Sequence, residues 1–350
     1  HYLAQTQHHN LKHITKIARI AEDQYVWMDR FTIRNLELYH SHQQNAVTLL
    51  DVIDKTISPM GGRMLKRWMA LPLKEEKAIT RRHEVVSYLL ENSQELDKIQ
   101  TNIKRIGDLE RLISKVATAK ISPRDVVQLK NSLEAIVPIK QLSQKSNNDS
   151  LSFIGKALDV CEALRSKIKQ TLDEQAPVHI TKGNAIAQGF NGDLDDLRAV
   201  AHGGKQYLDQ MLVRETQRTG ISSLKIASNN VFGYYIEVRN THKDKVPPEW
   251  TRKQTLVSAE RYITEELKQY ETKILGAEEK IASLEHAIFN ELLEWMLTYI
   301  APVQQNAKLV AELDCLCSFA LQAKLSNYTR PVFDDTTDLE IIEGRHPVIE

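Results

Sequence analysis

The sequence predicts a mainly α protein: a helical core with long helices that form an antiparallel coiled-coil arm, tipped by a small antiparallel β-sheet. Three observations carry this expectation. Apolar residues recur every three or four positions along most of the 350 residues, the period of a half-buried helix. Two stretches keep a strict alternation of threes and fours, the heptad of a coiled coil. Between those stretches lies "KIASNNVFGYYIEVRN" (residues 225–240), where the period drops to two, as in a strand with one buried face.

Bulk composition narrows the class. Lys+Arg and Asp+Glu are both 46, so overall charge selects neither nucleic acid nor membrane, and only local charge can point to a partner. Cys161, Cys315 and Cys317 are too few and too unevenly spaced for a disulfide framework, which predicts a reduced, cytosolic protein. No apolar run approaches the ~18 residues of a membrane span, and no signal peptide opens the chain. A start without methionine and an end in "GRHPVIE" suggest a piece of something longer.

Residues 1–30 read as a polar lead-in. Its His8, His9 and His13 have no cysteine or carboxylate nearby to complete a zinc site, so a solvent-facing segment is the expectation. From Asp51 the pattern turns helical. In "ISPMGGRMLKRWMALPL" Ser58 is the expected N-cap, with Pro59 at the first helical position. Met64, Leu65, Trp68 and Met69 form the apolar stripe, and Pro72 stops it. "ISPRDVVQLKNSLEAIV" repeats the device, with Ser122, Pro123 and Asp125 opening a helix that Pro138 should close. Residues 75–92, 94–119 and 150–174 carry the same period, and "SQKSNNDS" at 143–150 reads as a loop.

The arm follows. One heptad register is Leu194, Leu197, Ala201, Gly204, Leu208, Met211. The other is Leu267, Tyr270, Ile274, Ala277, Ile281, Leu284, Ile288, continuing through Leu292, Trp295 and Tyr299. At ~1.5 Å per residue the first reaches about 40 Å and the second about 65 Å, so the second should outrun its partner and run back into the core. Asp195 and Asp196 stand at the N-terminal end of the first helix, where carboxylates favour its dipole.

The hairpin is then the tip. Phe232, Tyr234, Ile236 and Val238 should face inward, with Asn229 and Asn230 in a tight turn. Lys225 to Thr255 holds six positive and three negative residues, a net +3 in a neutral chain. Asn229, Asn230, Arg239, Asn240, Lys243, Arg252, Lys253, Gln254 and Thr255 are the candidate contacts to a phosphate backbone. Short amide and basic side chains suit phosphate, and there is no aromatic row of the kind that stacks single-stranded bases. A solvated, mildly basic loop is the competing account.

"TISPMGGRMLKRWMALPL", "IGDLERL", "SPRD", "LKIASNNVFGYYIEV", "RKQTL", "AERYITEELKQYE", "AELDCLCSFA" and "EGRHPV" follow one another in an order and spacing that resembles the MutS family of bacterial mismatch-repair proteins. The resemblance covers almost the whole chain. It implies a connector remnant at 1–30, helical core and lever at 31–190, and a clamp arm at 191–284 with its β tip at about 222–257. The return lever helix and second part of the core would occupy 285–340, and 341–350 would begin an ATPase domain. It further implies double-stranded DNA as partner, a homodimer of the full-length protein, downstream repair proteins such as MutL, and ATP with Mg bound outside this chain.

The family's mismatch wedge is a Phe-x-Glu motif in a separate domain, and "FNE" at Phe289–Glu291 matches only its letters, being placed for packing inside a helix. No GxxxxGK[ST] phosphate loop occurs. His346, beside Pro347, has no nucleophile or carboxylate partner and reads as structural. The chain itself is therefore expected to need no cofactor or metal, to catalyse nothing and to be mostly monomeric. A paralogue that binds recombination or branched DNA, and a coiled-coil scaffold or interaction arm, remain as alternatives.

Overall fold

The computed structural model describes residues 22–41, 43, 46–229, 233–334 and 336–350. His8, His9, His13, Asn230 and Phe232 lie outside the described residues. Among the described residues the chain is mainly α-helical, with one four-stranded sheet. It divides into two units: one runs to Gln170 and resumes at Leu292, the other is Thr171–Glu291.

The first unit contains α1 (Arg30–Asn35), α2 (Leu49–Ile53), α3 (Pro59–Ala70), α4 (Glu76–Glu91), α5 (Ser93–Ile103), α6 (Leu109–Ala117), α7 (Pro123–Lys145), α8 (Asp149–Ala157) and α9 (Glu162–Thr171). Local chemistry starts several of them. Ser58 accepts from Gly61 N–H at 3.0 Å with Pro59 in the first turn. Ser122 and Asp125 form a reciprocal capping box, and Asn148 accepts from Leu151 N–H at 2.8 Å.

Several expected boundaries move. Pro138 does not close its helix but lies inside α7. A proline there removes one backbone bond at a cost of ~3 kcal/mol, and burial of Ala135, Ile136 and Ile139 on the same helix offsets it. The loop expected at 143–150 shrinks to 146–148, because Lys145 still ends α7 and Asn148 already caps α8. The 94–119 stretch breaks at 104–108, where Gly107 N–H turns to the Ser132 hydroxyl (3.0 Å) and Asp108 caps a new helix. The 150–174 stretch breaks at Cys161, which takes a φ of 45°.

The return helix also stops early. α11 (Glu265–Met296) gives way to a 3-10 turn at Leu297–Tyr299, and α12 (Ile300–Ser326) restarts. Pro302, which has no N–H to bond back to Thr298, falls at that restart and explains it. α12 is buried on nearly every side and packs against α3, α4, α5 and α6. Its polar side chains tie distant backbone to it. Asp314 accepts from Ser58 N–H (2.8 Å), the Ser58 hydroxyl (2.7 Å) and Ile57 N–H (3.1 Å). Asn306 bonds both backbone groups of Asp159, at 2.9 and 2.7 Å. Ser318 links Lys55 N–H (2.7 Å) to the Ile53 carbonyl (3.0 Å).

The second unit is built on α10 (Gly192–Thr219) and the part of α11 up to Glu291. Their side chains meet in antiparallel order. As α10 advances through Arg198, Lys205, Tyr207 and Arg214, its partners on α11 retreat through Glu285, Glu278, Tyr270 and Glu266. Gly204 sits directly on Ile274, where any Cβ would strike the Ile274 side chain. Leu194, Ala201, Leu208, Met211, Leu267, Ile274 and Ala277 are buried, while Phe289 packs inside with 5 % exposure. Residues 184–186 are pinned to this pair: buried Glu285 accepts from Asn184 N–H (3.0 Å) and from Arg198 (2.6 Å), which also reaches the Ile186 carbonyl at 2.9 Å.

Candidate nucleic-acid interface

Between the two helices the chain forms β1 (Lys225–Asn229), β2 (Gly233–Arg239), β3 (Thr251–Thr255) and β4 (Ala259–Ile263), all antiparallel, in the order β1-β2-β4-β3. The sequence reading stopped at a hairpin with a tip ending near 257. The fourth strand was legible in the alternation of "AERYI", whose Ala259 and Glu260 nonetheless both end up buried. Asn229 does not sit in the turn. It is the last paired residue of β1, opposite Gly233, so three residues separate the strands. Gly233 takes the left-handed φ of 69° that closes such a loop, and a Cβ on it would run into the Glu271 carboxylate.

The sheet has two unlike faces. Ile236, Val238 and Tyr262 pack with Leu208, Met211, Trp250, Leu267 and Ile274 in one apolar cluster. The opposite face carries a row across all four strands: Lys225, Glu237, Arg261, Gln254. Arg261, absent from the expected set, organises this row. It donates to Glu237 (3.2 Å) and Gln254 (2.8 Å), and its guanidinium lies 4.3 Å from the Tyr235 ring centre. That stacking buries Tyr235, which strict alternation had assigned to the outside.

The candidate residues fall into distinct situations. Gln254 accepts from Arg261. Arg252 donates to Glu260 at 3.2 Å, and Glu260 also accepts from the Tyr262 hydroxyl. The hydrogen bond from Tyr262 and the charges of Arg252 and Lys243 hold the Glu260 carboxyl below its usual range. Burial, then Glu260, pushes the Tyr262 hydroxyl up to about 12. Lys253 occupies a bulge: Arg252 pairs with Tyr262 and Gln254 with Arg261, leaving Lys253 as the extra residue. Asn240 is a brace, its backbone N–H donating to the Ser258 carbonyl (3.1 Å) and its side-chain amide to the Val257 carbonyl (3.0 Å). Arg239, Lys243, Lys253 and Thr255 are exposed.

Distance separates the set as well. Asn229 pairs with Gly233 at the end of the sheet nearest Glu271, well inside α11. Arg239, Asn240 and the turn after Thr255 lie at the other end. At ~3.3 Å per residue, the length of β2 puts about 20 Å between them. The structure therefore brings Arg239, Asn240, Lys243 and Thr255 to one end of the sheet, with Lys253 on the adjoining edge strand. It leaves Asn229 apart.

Other chemistry is sparse. Among the described residues no three His, Cys, Asp or Glu side chains are grouped to hold a metal ion. The three cysteines are buried, and burial together with Asp159 pushes the Cys161 thiol up to about 12. Among the described residues no helix is long and apolar enough to cross a membrane.

These features define a class: an α-helical core domain with an inserted helical hairpin that carries a small, cation-edged sheet. The family model for MutS domain III matches residues 31–320. A DNA mismatch repair protein MutS of Christiangramia forsetii is 66% identical over all 350 residues, which span 40% of that relative's length. MutS proteins of Flavobacterium johnsoniae and Parabacteroides distasonis are 65% and 55% identical over the same span, again 40% of their lengths. The chain belongs to the MutS family, and it spans about two fifths of the length of the curated relatives it matches.

Proposed function

We propose that this chain holds duplex DNA by its phosphate backbone, without reading sequence, as the clamp-and-lever portion of a mismatch-repair protein. The observation that carries the reading is the gathering of exposed Arg239, Lys243 and Lys253 at one end and edge of the sheet, beside Thr255. Contacts of that kind position a protein on a duplex and carry little base information. Arg252 contributes less, because Glu260 already holds it. Asn229, at the other end of the hairpin, contributes least.

In the whole protein, the pair of heptad helices would link this contact to an ATPase that binds ATP and Mg outside this chain. Two copies would close around the duplex and MutL would act downstream, in the bacterial cytosol beside the nucleoid. The chain alone would be a monomer that binds and hydrolyses no nucleotide.

The test is a salt titration of matched and mismatched duplexes at low ionic strength. Arg239→Ala, Lys243→Ala and Lys253→Ala combined should weaken both duplexes equally. The combination should also flatten the slope of log K against log salt by up to ~2.7, at about 0.9 per phosphate contact. Asn229→Ala should leave the slope alone. An unchanged slope in the triple variant would refute the reading and leave an interaction arm as its successor.

A further inference from the structure

The first unit contains a cavity of about 680 Å³ that the DNA-holding reading does not use. Its walls come from α2, α3, α4 and the end of α12, with Met28, Ile79, Leu90 and Phe319 among the apolar side chains. That volume lies within the ~300–1,000 Å³ of small-molecule sites, which combine apolar walls with a few converging polar groups. Here the polar groups are Arg82, His83 and, on an exposed stretch at the rim, Arg330.

Arg82 is the centre of the argument. Its guanidinium carbon stands over the Trp68 ring, 3.4 Å from the ring centre, and the residue is only partly exposed. Glu312 and Tyr25 act on it through space, yet among the described residues no carboxylate or carbonyl is hydrogen-bonded to it. A guanidinium stacked by its face keeps the N–H donors of its edge in plane, in the fork that matches the two oxygens of a carboxylate. The neighbouring His83 supplies a second, independent sign. Its Nδ1 is buried and has no hydrogen-bond partner, while its ring stacks at 5.8 Å on Phe333. Buried polar atoms in folded proteins are nearly always satisfied, so an orphan on a residue that lines a cavity asks for a ligand atom. Burial and then Arg330 disfavour the charged imidazole, so His83 is neutral and can offer Nδ1–H to an oxygen.

We propose that this cavity binds a small amphiphile: an acyl or aryl body against the apolar wall, with a single carboxylate held by Arg82 and His83. A carboxylate suits the donor set better than a phosphate. One fork and one imidazole serve two oxygens, and the second guanidinium stands out in solvent, where it steers the ligand more than it holds it.

The experiment titrates the 350-residue chain by calorimetry with decanoate and with decanol, which has the same body and no charge, both below micellar concentrations. Decanoate should bind at least tenfold tighter than decanol. Arg82→Gln should bring the two to parity, and Ser87→Phe, which fills the cavity from its wall, should abolish both. Equal binding of the two to the unmodified chain, or no binding of either, overturns the proposal. So does an Arg82→Gln chain that still prefers decanoate. Should Arg82→Gln fail to fold, His83→Phe takes its place, and undiminished decanoate binding by that variant overturns the proposal. None of these readings depends on DNA, so the two proposals fail separately.

Discussion

The two units are held together in different ways. In the first, α12 is a buried spine whose Asn306, Asp314 and Ser318 hydrogen-bond backbone segments up to 265 residues away in sequence. Those three side chains are fully buried, where salt screens them little. In the second, α10 and α11 share a buried apolar seam that is flanked by pairs at or near the surface: Lys205–Glu278 at 2.6 Å, Arg214–Glu266 at 2.6 Å, and the stacked rings of Tyr207 and Tyr270. Exposed ion pairs contribute ~0–1 kcal/mol each and weaken with salt. The comparison teaches that one chain can tie one unit through buried polar side chains and the other through a helix seam edged by ion pairs, using different proportions of the same interactions.

The largest expected effect breaks the frame. Asp314→Ala leaves the Ser58 N–H and hydroxyl buried without an acceptor and strips the part-buried Ile57 N–H of its own. It should cost about 3–5 kcal/mol of the first unit's stability. Asp314→Asn keeps one acceptor oxygen and should cost less. Denaturant unfolding followed by hydrogen exchange should place the loss in the first unit. A loss spread evenly over both units would dissolve the distinction.

Next comes the seam of the arm. Ile274→Ala removes a side chain of 0% exposure that rests on Gly204, and should cost ~2–5 kcal/mol. Leu208→Ala should behave alike. The signature is early exchange of amides in α10 and α11 while α12 stays protected, and simultaneous exchange would show a single cooperative body.

Acid should act on Glu266 and Asp314 with opposite signs. The hydrogen bond from Arg214 holds the Glu266 carboxyl below its usual 4.5. Its contribution is complete above that value and is lost as pH falls through the lowered one. Asp314 is raised above 3.8 because burial outweighs its donors. The folded form therefore takes up its proton before the unfolded form does, and falling pH relieves a cost. Lowered carboxylates occur in both units, Asp108 and Asp125 in the first and Glu260 in the second, so substitution isolates each: Glu266→Gln should reduce the arm's loss of exchange protection between neutrality and pH 4. An unchanged acid loss in that variant would contradict this.

The smallest effect is a single surface pair. Lys205→Ala should cost the arm under about 1 kcal/mol at low salt and less at high salt. The same salt step should leave unchanged the exchange of the Ser58 amide, which the buried Asp314 carboxylate holds.

Much of this was legible in the sequence because local rules decided it. Ser58–Pro59 and Ser122–Pro123 start helices wherever they occur, and the threes and fours from Leu194 and Leu267 force two long helices with matching seams. The family, too, was readable from the order of its motifs. Other features needed the folded chain, because they depend on which residues meet across long separations. Pro138 stays helical only because its neighbours find a core. Arg261 matters only because register sets it between Glu237 and Gln254, over Tyr235.

The candidate interface shows the same division. Composition placed a net positive charge between Lys225 and Thr255, since charge adds along a chain whatever its shape. Strand pairing then decided which of those residues share an end of the sheet. Antiparallel order carries Arg239 away from Asn229 as β2 runs back, and Glu260, from a strand the hairpin pattern did not contain, holds Arg252 back. Sequence determines what each segment can become; which segments touch, and therefore which charges stay exposed, is fixed only when the tertiary contacts choose among them.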